Sequence, residues 1–251
     1  MKLIILAAGV GNRLSPATQN TPKSLLTIDG EKTLLDKQLE AAKYCGIKDI
    51  CIITGFQTEK IEDKIKTRAD LGLNISIIYN PFFKSHNNLV SLWTSTCFMD
   101  ENFIMLNGDN IFKPNVLANL INKAKELENG LLVAINKKSI YDEDDTKIIL
   151  NKENQIVKIS KEIDYNNISA EWIGICAVCG NFIKEFVDKI NDLVRTPELL
   201  EGSPHYLSVF QGLIEDGKIL KTIEIEPNTW GEIDFLTDLE YVRQYITRFN
   251  I

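Results

Sequence analysis

The sequence predicts a three-layer α/β fold built on a mostly parallel central sheet. Three observations lead there. Short β-branched runs alternate with helical patterns through the first 135 residues, a glycine-rich loop follows the first strand directly, and no linker or composition shift divides the chain. Such alternation is what parallel strands demand, because each crossover needs about a dozen or more residues, usually a helix.

Leu3–Leu6 reads as the first strand. Leu34–Tyr44 carries apolar residues at helical spacing and stops at Gly46. Ile50–Thr54 (strand), Thr58–Arg68 (helix), Ile75–Tyr79 (strand) and Asn88–Phe98 (helix) follow, then Phe103–Leu106 (strand), Val116–Leu127 (helix) and Gly130–Ile135 (strand). The rhythm then changes. Lys147–Leu150, Ile156–Ile159 and Glu171–Val178 read as strands with short polar connections, as in an antiparallel or mixed section. Phe182–Leu193 and Tyr206–Glu215 read as helices and Leu220–Ile225 as a strand. A last helix is expected near Thr237, where Thr237-Asp-Leu-Glu240 fits a capping box. The expectation is one domain over 1–251 with a sheet of roughly seven strands. The change of rhythm near residue 135 sets a regularly alternating part, 1–135, apart from a mixed part, 136–251.

The 251 residues are 44% hydrophobic and 25% charged, as in ordinary globular proteins. A net charge of −7 argues against a protein that grips long nucleic acid by its phosphates, although a local basic pocket for a small anion is compatible with it. No run approaches the ~18 apolar residues of a spanning helix, and Leu3–Ala8 is too short for a signal h-region. The expectation is a cytosolic protein without membrane insertion, its homodimerisation left open. Cys176-Ala-Val-Cys179 has CxxC spacing, but it lies in an apolar run with no second pair or nearby histidine. Small buried hydrophobes are the better account.

The opening loop, LAAGVGNRLSPATQNTPKSLL, is the most informative stretch. A glycine turn after the first strand lets backbone N–H groups meet phosphate oxygens. The dinucleotide fingerprint fails, because the third glycine of GxGxxG is missing and Pro16 and Pro22 interrupt any helix. The NTPase phosphate loop fails because Pro22 holds the position of its second glycine. What fits is L-A-A-G-x-G-x-R-L-x-P-x-T-x-x-x-P-K-x-L. This run resembles the loop of nucleoside-diphospho-sugar-type nucleotidyltransferases, which implies a Rossmann-like, glycosyltransferase-A-like fold.

In that chemistry an acceptor phosphate attacks the α-phosphorus of an NTP and expels pyrophosphate, so the protein must mainly neutralise charge and align reactants. Arg13 offers forked donors to the β- and γ-phosphates, and Lys23 a compact charge to the α-phosphate. Leu6, Ala7, Ala8, Gly9, Gly11 and Gly108 are assigned to the nucleotide, the small ones letting the backbone approach it. A triphosphate travels with Mg²⁺ held by one or two carboxylates. Asp109, at the carboxyl end of an apolar strand, is the first candidate ligand, and the resemblance implies the same. Asp234 resembles the family's late metal-binding aspartate; taken alone it reads as a helix N-cap. Glu232 stands in reserve.

Asn87-Asn88-Leu-Val-Ser91-Leu92 is similar to an element in bacterial CTP:phosphocholine cytidylyltransferases and in enzymes acting on aminoethylphosphonate. The likeness covers essentially the whole chain, densest over 3–26 and 87–112. It implies CTP as donor, read by Asn88 and Ser91, while helix capping by Asn87 or Asn88 stays open. It implies a small phosphorylated acceptor, phosphocholine or a phosphonate, and a product that feeds decoration of a cell-surface polymer or lipid. Lys161 resembles the lysine that meets the acceptor phosphate, with a solvated surface lysine as the alternative. Trp172, Trp230 and Tyr165 beside Glu171 and Glu232 suit a cationic head group; core packing is the rival for Trp172. His86 and His205 receive no role. The competing functions are a sugar-1-phosphate nucleotidyltransferase, whose base loop expects glycines that 80–92 lacks, a regulator of the same fold without turnover, and a glycosyltransferase.

Overall fold

The apolar runs form strands because they are buried on both faces, as parallel strands in a layered fold must be. In the computed structural model, which describes residues 1–201 and 204–249, Leu3 and Ile5 of the first strand face one apolar cluster and Ile4 the other. The strands are β1 (Lys2–Ala7), β2 (Thr27–Asp29), β3 (Lys32–Thr33), β4 (Asp49–Thr54), β5 (Asn74–Tyr79), β6 (Phe103–Asn107) and β7 (Asn110–Phe112). The chain continues with β8 (Gly130–Asn136), β9 (Lys147–Leu150), β10 (Ile156–Ser160), β11 (Ala170–Cys179), β12 (Leu220–Glu224) and β13 (Trp230–Glu232). The helices are α1 (Leu34–Tyr44), α2 (Thr58–Lys66), α3 (Asn88–Thr94), α4 (Pro114–Lys125), α5 (Phe182–Arg195), α6 (Pro197–Glu201), α7 (Leu207–Glu215) and α8 (Leu236–Gln244).

Nine strands make one mixed sheet, more than the seven expected. β5, β4, β1 and β6 run parallel. The long strand β11 then turns the direction, pairing antiparallel with β6, β8 and β9, and β12 lies parallel to β8. Along one edge of β11, residues 175–178 pair with β6 and residues 170–171 with β9. The interval between them is a break in the sheet, and Gly174 lies in it in the left-handed region at φ 76°. α1, α2 and α4 cover one face and α3, α5 and α7 the other, completing three layers. No helix among the described residues is long and apolar enough to cross a membrane.

A third, smaller apolar cluster lies outside the layers. Leu14, Leu26 and Ile28 of the opening segment meet Ile111, Ile233, Leu239, Val242 and Phe249 there. β13 reaches it by pairing with β7, Glu232 opposite Asn110.

Local boundaries follow hydrogen bonding more than sequence signals. α3 stops at Thr94 and a separate 3-10 turn holds 96–98. The last helix starts at Leu236, one residue before the expected cap. Asp238 caps it by accepting from the N–H groups of Asp234 (2.9 Å) and Phe235 (2.7 Å), so Thr237 is inside the helix. Asp234 is therefore not the N-cap. Asn87 is the cap of α3, its side chain accepting from Asn88 N–H. Cys176 and Cys179 belong to opposite faces of β11, buried in different clusters. Burial pushes both thiols up, as inert core cysteines require.

Candidate active site

The site opens where β1 and β6 end and β11 breaks. Gly108 follows β6, and its N–H donates to Leu6 O at 2.9 Å, drawing the two strand ends together. A Cβ on residue 108 would stand 2.7 Å from Leu6 O and 2.9 Å from Ala7 Cα, so only glycine lets these backbones meet. The opening loop folds back on itself, with Thr18 Oγ1 donating to Gly11 O at 2.7 Å.

A cavity of about 380 Å³ results, and every residue assigned to a role from the sequence except Tyr165 lines it. Leu6, Ala7, Ala8, Gly9, Gly11 and Gly108 form one wall with Asn88 and Ser91. Arg13, Lys23, Asp109 and Asp234 meet at its centre, and Lys161, Glu171, Trp172 and Trp230 lie on the far side.

The centre is an ion-pair lattice spanning most of the chain. Lys23 Nζ lies 2.9 Å from Asp109 Oδ2 and 2.5 Å from Asp234 Oδ1. Arg13 reaches Asp234 Oδ2 and Asp144 Oδ2, each at 2.7 Å. Burial works against the Lys23 charge, but Asp109 and Asp234 outweigh it and hold the ammonium above its usual pKa. Burial likewise raises Asp234, and Lys23 and Arg13 overcome that, so its carboxyl is held below the ordinary range. Glu232 goes the other way. Desolvation and the adjacent Asp109 and Asp234 push it well up. Its surface is open to the cavity, so the like charges are the firmer cause.

These acids fit a divalent cation. Asp109, Glu232 and Asp234 each offer an oxygen within 4.8 Å of the others, the one such group among the described residues. Asp109 Oδ1 is buried without any hydrogen-bond partner, while Oδ2 is held by Lys23. An orphaned carboxylate oxygen in an all-oxygen set matches the demands of Mg²⁺ or a similar hard ion.

Some assignments change on contact with the geometry. The Asn88 amide is already engaged: its Oδ1 accepts from Tyr206 N–H and its Nδ2 contacts His205 Nε2, both at 2.8 Å. Ser91 Oγ accepts from the buried Asn80 at 2.9 Å. Trp172 is core, as the rival account held. It packs against Tyr206 and Phe210, and its indole N–H donates to Ile175 O. It is therefore removed from the acceptor set as an open aromatic face. Glu171 is buried, accepting from Asn136 at 2.7 Å and paired with Lys138 at 2.8 Å, so it shapes the wall while its charge is answered. Tyr165 does not line the cavity. Trp230 does, half-buried. Lys161 also does, and among the described residues its ammonium has no ion-pair partner.

Sequence reasoning missed several wall residues. His205 was given no role, yet it lines the cavity and holds Asn88. Burial and the Lys161 charge depress it to about 4, leaving it neutral. Tyr206 donates to Asn107 Oδ1 at 2.8 Å, fixing the cavity floor. Asp144 and Asp145 come from an acidic run, Asp142–Asp145, that reads as a solvated loop. A lone glycine in the apolar run of β11 was the available signal for the break.

Comparisons with known proteins place the chain in a family. The family model described as "Nucleotidyl transferase" matches residues 2–146, more than half of the chain. The CTP:phosphoglutamine cytidylyltransferase of Campylobacter jejuni is 25% identical over 96% of this chain and 98% of its own. A solved CTP:phosphocholine cytidylyltransferase from Streptococcus pneumoniae superposes with a TM-score of 0.76 at 25% identity, covering 98% of each chain. A glucose-1-phosphate thymidylyltransferase of Streptomyces antibioticus is 33% identical over 44% of this chain and 30% of its own. The matched span carries the glycine loop, Arg13, Lys23 and Asp109, and the remaining acids reach them through β13. The chain belongs to the nucleotidyl transferase family and is an enzyme of that class.

Proposed function

We propose that the protein transfers CMP from CTP to a small phosphorylated acceptor, phosphocholine or a phosphonate such as 2-aminoethylphosphonate, with release of pyrophosphate. The observation that carries this is the meeting of Arg13 and Lys23 with Asp109, Glu232 and Asp234 in one cavity. CTP is favoured over other nucleotides by the two cytidylyltransferases that match along nearly the full chain.

Asp109 and Asp234, with Glu232 beside them, would hold Mg²⁺, which when bound neutralises triphosphate charge. The chain's own groups do the rest. Arg13 presents paired N–H donors to the β- and γ-phosphates, and Lys23 neutralises charge at the α-phosphorus while an acceptor oxygen attacks it in line. The new bond is acceptor oxygen to α-phosphorus; the broken one runs from that phosphorus to the oxygen bridging to the β-phosphate, and pyrophosphate departs with that electron pair. Lys161, the unpaired cation of the far wall, suits the acceptor phosphate. Trp230 suits its head group. Residues 1–135 supply most of the nucleotide side, the later residues the acceptor side and Asp234. The cytoplasm, with its reduced thiols, is the compartment this reading implies.

The partial match to a glucose-1-phosphate thymidylyltransferase favours a second reading, a sugar-1-phosphate acceptor with dTTP or UTP. One assay separates them: pyrophosphate release with each NTP, Mg²⁺ and a panel of phosphocholine, 2-aminoethylphosphonate and glucose 1-phosphate. Release with CTP and an amine-bearing acceptor is expected. Release only with the sugar phosphate would reject the acceptor and nucleotide assigned here.

A further inference from the structure

Asp144 belongs to none of the groups given a part above. It stands between β8 and β9 and lines two cavities, the central one and an adjoining space of about 420 Å³. That second space is walled by Asp142, Asp145 and Asp238, with Trp230 and Phe235 as aromatic faces. Its one lysine, Lys138, is held by Asp145 and Glu171 at 2.8 Å each.

Arg13 ties the two spaces together. One terminal nitrogen holds Asp144 and the other Asp234, with the guanidinium 5.0 Å from the Phe235 ring centre. A triphosphate that takes this guanidinium must compete with both carboxylates. Asp234 keeps Lys23 at 2.5 Å. Asp144 has no such second partner: among the described residues Arg13 is its only ion pair. Once Arg13 turns to phosphate, Asp144 is an unanswered carboxylate facing the acidic, aromatic space next door.

We propose that Asp144 couples the two substrates: nucleotide draws Arg13 away from it, and the freed charge then favours an acceptor with a cationic head. This rests on the reading of the site as a nucleotide-triphosphate site given above. Coupling is reciprocal, so the acceptor must also strengthen nucleotide binding. Asp144 is a positioning residue in this scheme and touches no reacting atom.

Calorimetric titration tests it with α,β-methylene-CTP and Mg²⁺, then with phosphocholine or 3,3-dimethylbutyl phosphate, its isostere with an uncharged head group. Asp144→Asn should bind the CTP analogue about two- to fivefold more tightly, the scale of an exposed ion pair removed from competition. In the wild type the analogue should tighten phosphocholine about fivefold beyond its effect on the isostere. Asp144→Asn should abolish that difference, and Asp144→Glu should retain it. Equal or weaker binding of the analogue by Asp144→Asn, or an undiminished phosphocholine advantage, overturns the coupling and leaves the site reading standing. Failure of the wild type to bind the analogue overturns both.

Discussion

Lys23 makes the clearest case at the scale of single residues. Among the described residues it is the only cation in contact with both Asp109 and Asp234, so its removal leaves Asp109 without an ion pair and Asp234 with Arg13 alone, and on the proposed reading it takes a charge from the α-phosphate. Lys23→Ala is expected to slow turnover by about 100-fold or more, the usual cost of one lost electrostatic stabiliser. Steady-state pyrophosphate release measures this, and a near-normal kcat would take the lysine out of the chemistry. Placement in the cavity was legible where a residue type has one chemical use in its setting, as with an arginine and a lysine on a glycine loop. Asn88 and Trp172 were not, because their sequence neighbours are silent about which remote groups take up the amide and the indole. His205 and Tyr206 settle Asn88; Tyr206, Phe210 and Ile175 settle Trp172.

Among elements, β11 decides where the cavity can exist. Its pairing moves from β6 to β9 across residues 172–174, and the left-handed Gly174 allows it. A Cβ there would lie 2.6 Å from Asn107 Nδ2, and Asn107 is held by Tyr206 on the floor of the site. Gly174→Ala should therefore lower unfolding free energy by about 1–3 kcal/mol and also reduce kcat/KM, because the same clash displaces the floor. Denaturant midpoints together with steady-state kinetics check both. An unchanged midpoint would show that the break relaxes without cost. The central strands β4, β6, β8 and β11 could be read in the sequence because burial on two faces writes a continuous apolar pattern. The capping of α8 could not, since Thr237 and Asp238 are both acceptable signals and only backbone geometry selects between them.

At the scale of the molecule, the fold and the site draw on different forces. Three apolar clusters hold the layers and the opening loop, while in the site Asp109 and Asp234 are paired with Lys23 and Arg13. Chelation with EDTA is accordingly expected to abolish pyrophosphate release while leaving the thermal midpoint within a few degrees. A large drop in the midpoint would mean that the metal is part of the fold as well as of the reaction.

By itself the sequence determined the order of the nine main-sheet strands and of seven helices, the glycine loop with its two cations, and Asp109 at a strand end, because each is written in residues close together in the chain. Tertiary structure alone decided that β13 pairs with β7 and carries Glu232 and Asp234 to Asp109, and that the loop before β9 brings Asp144 to Arg13. Those meetings join residues up to 131 positions apart. The burial of the small third cluster and the ladder between two short strands fix the first of these, and neither leaves a local mark in the sequence.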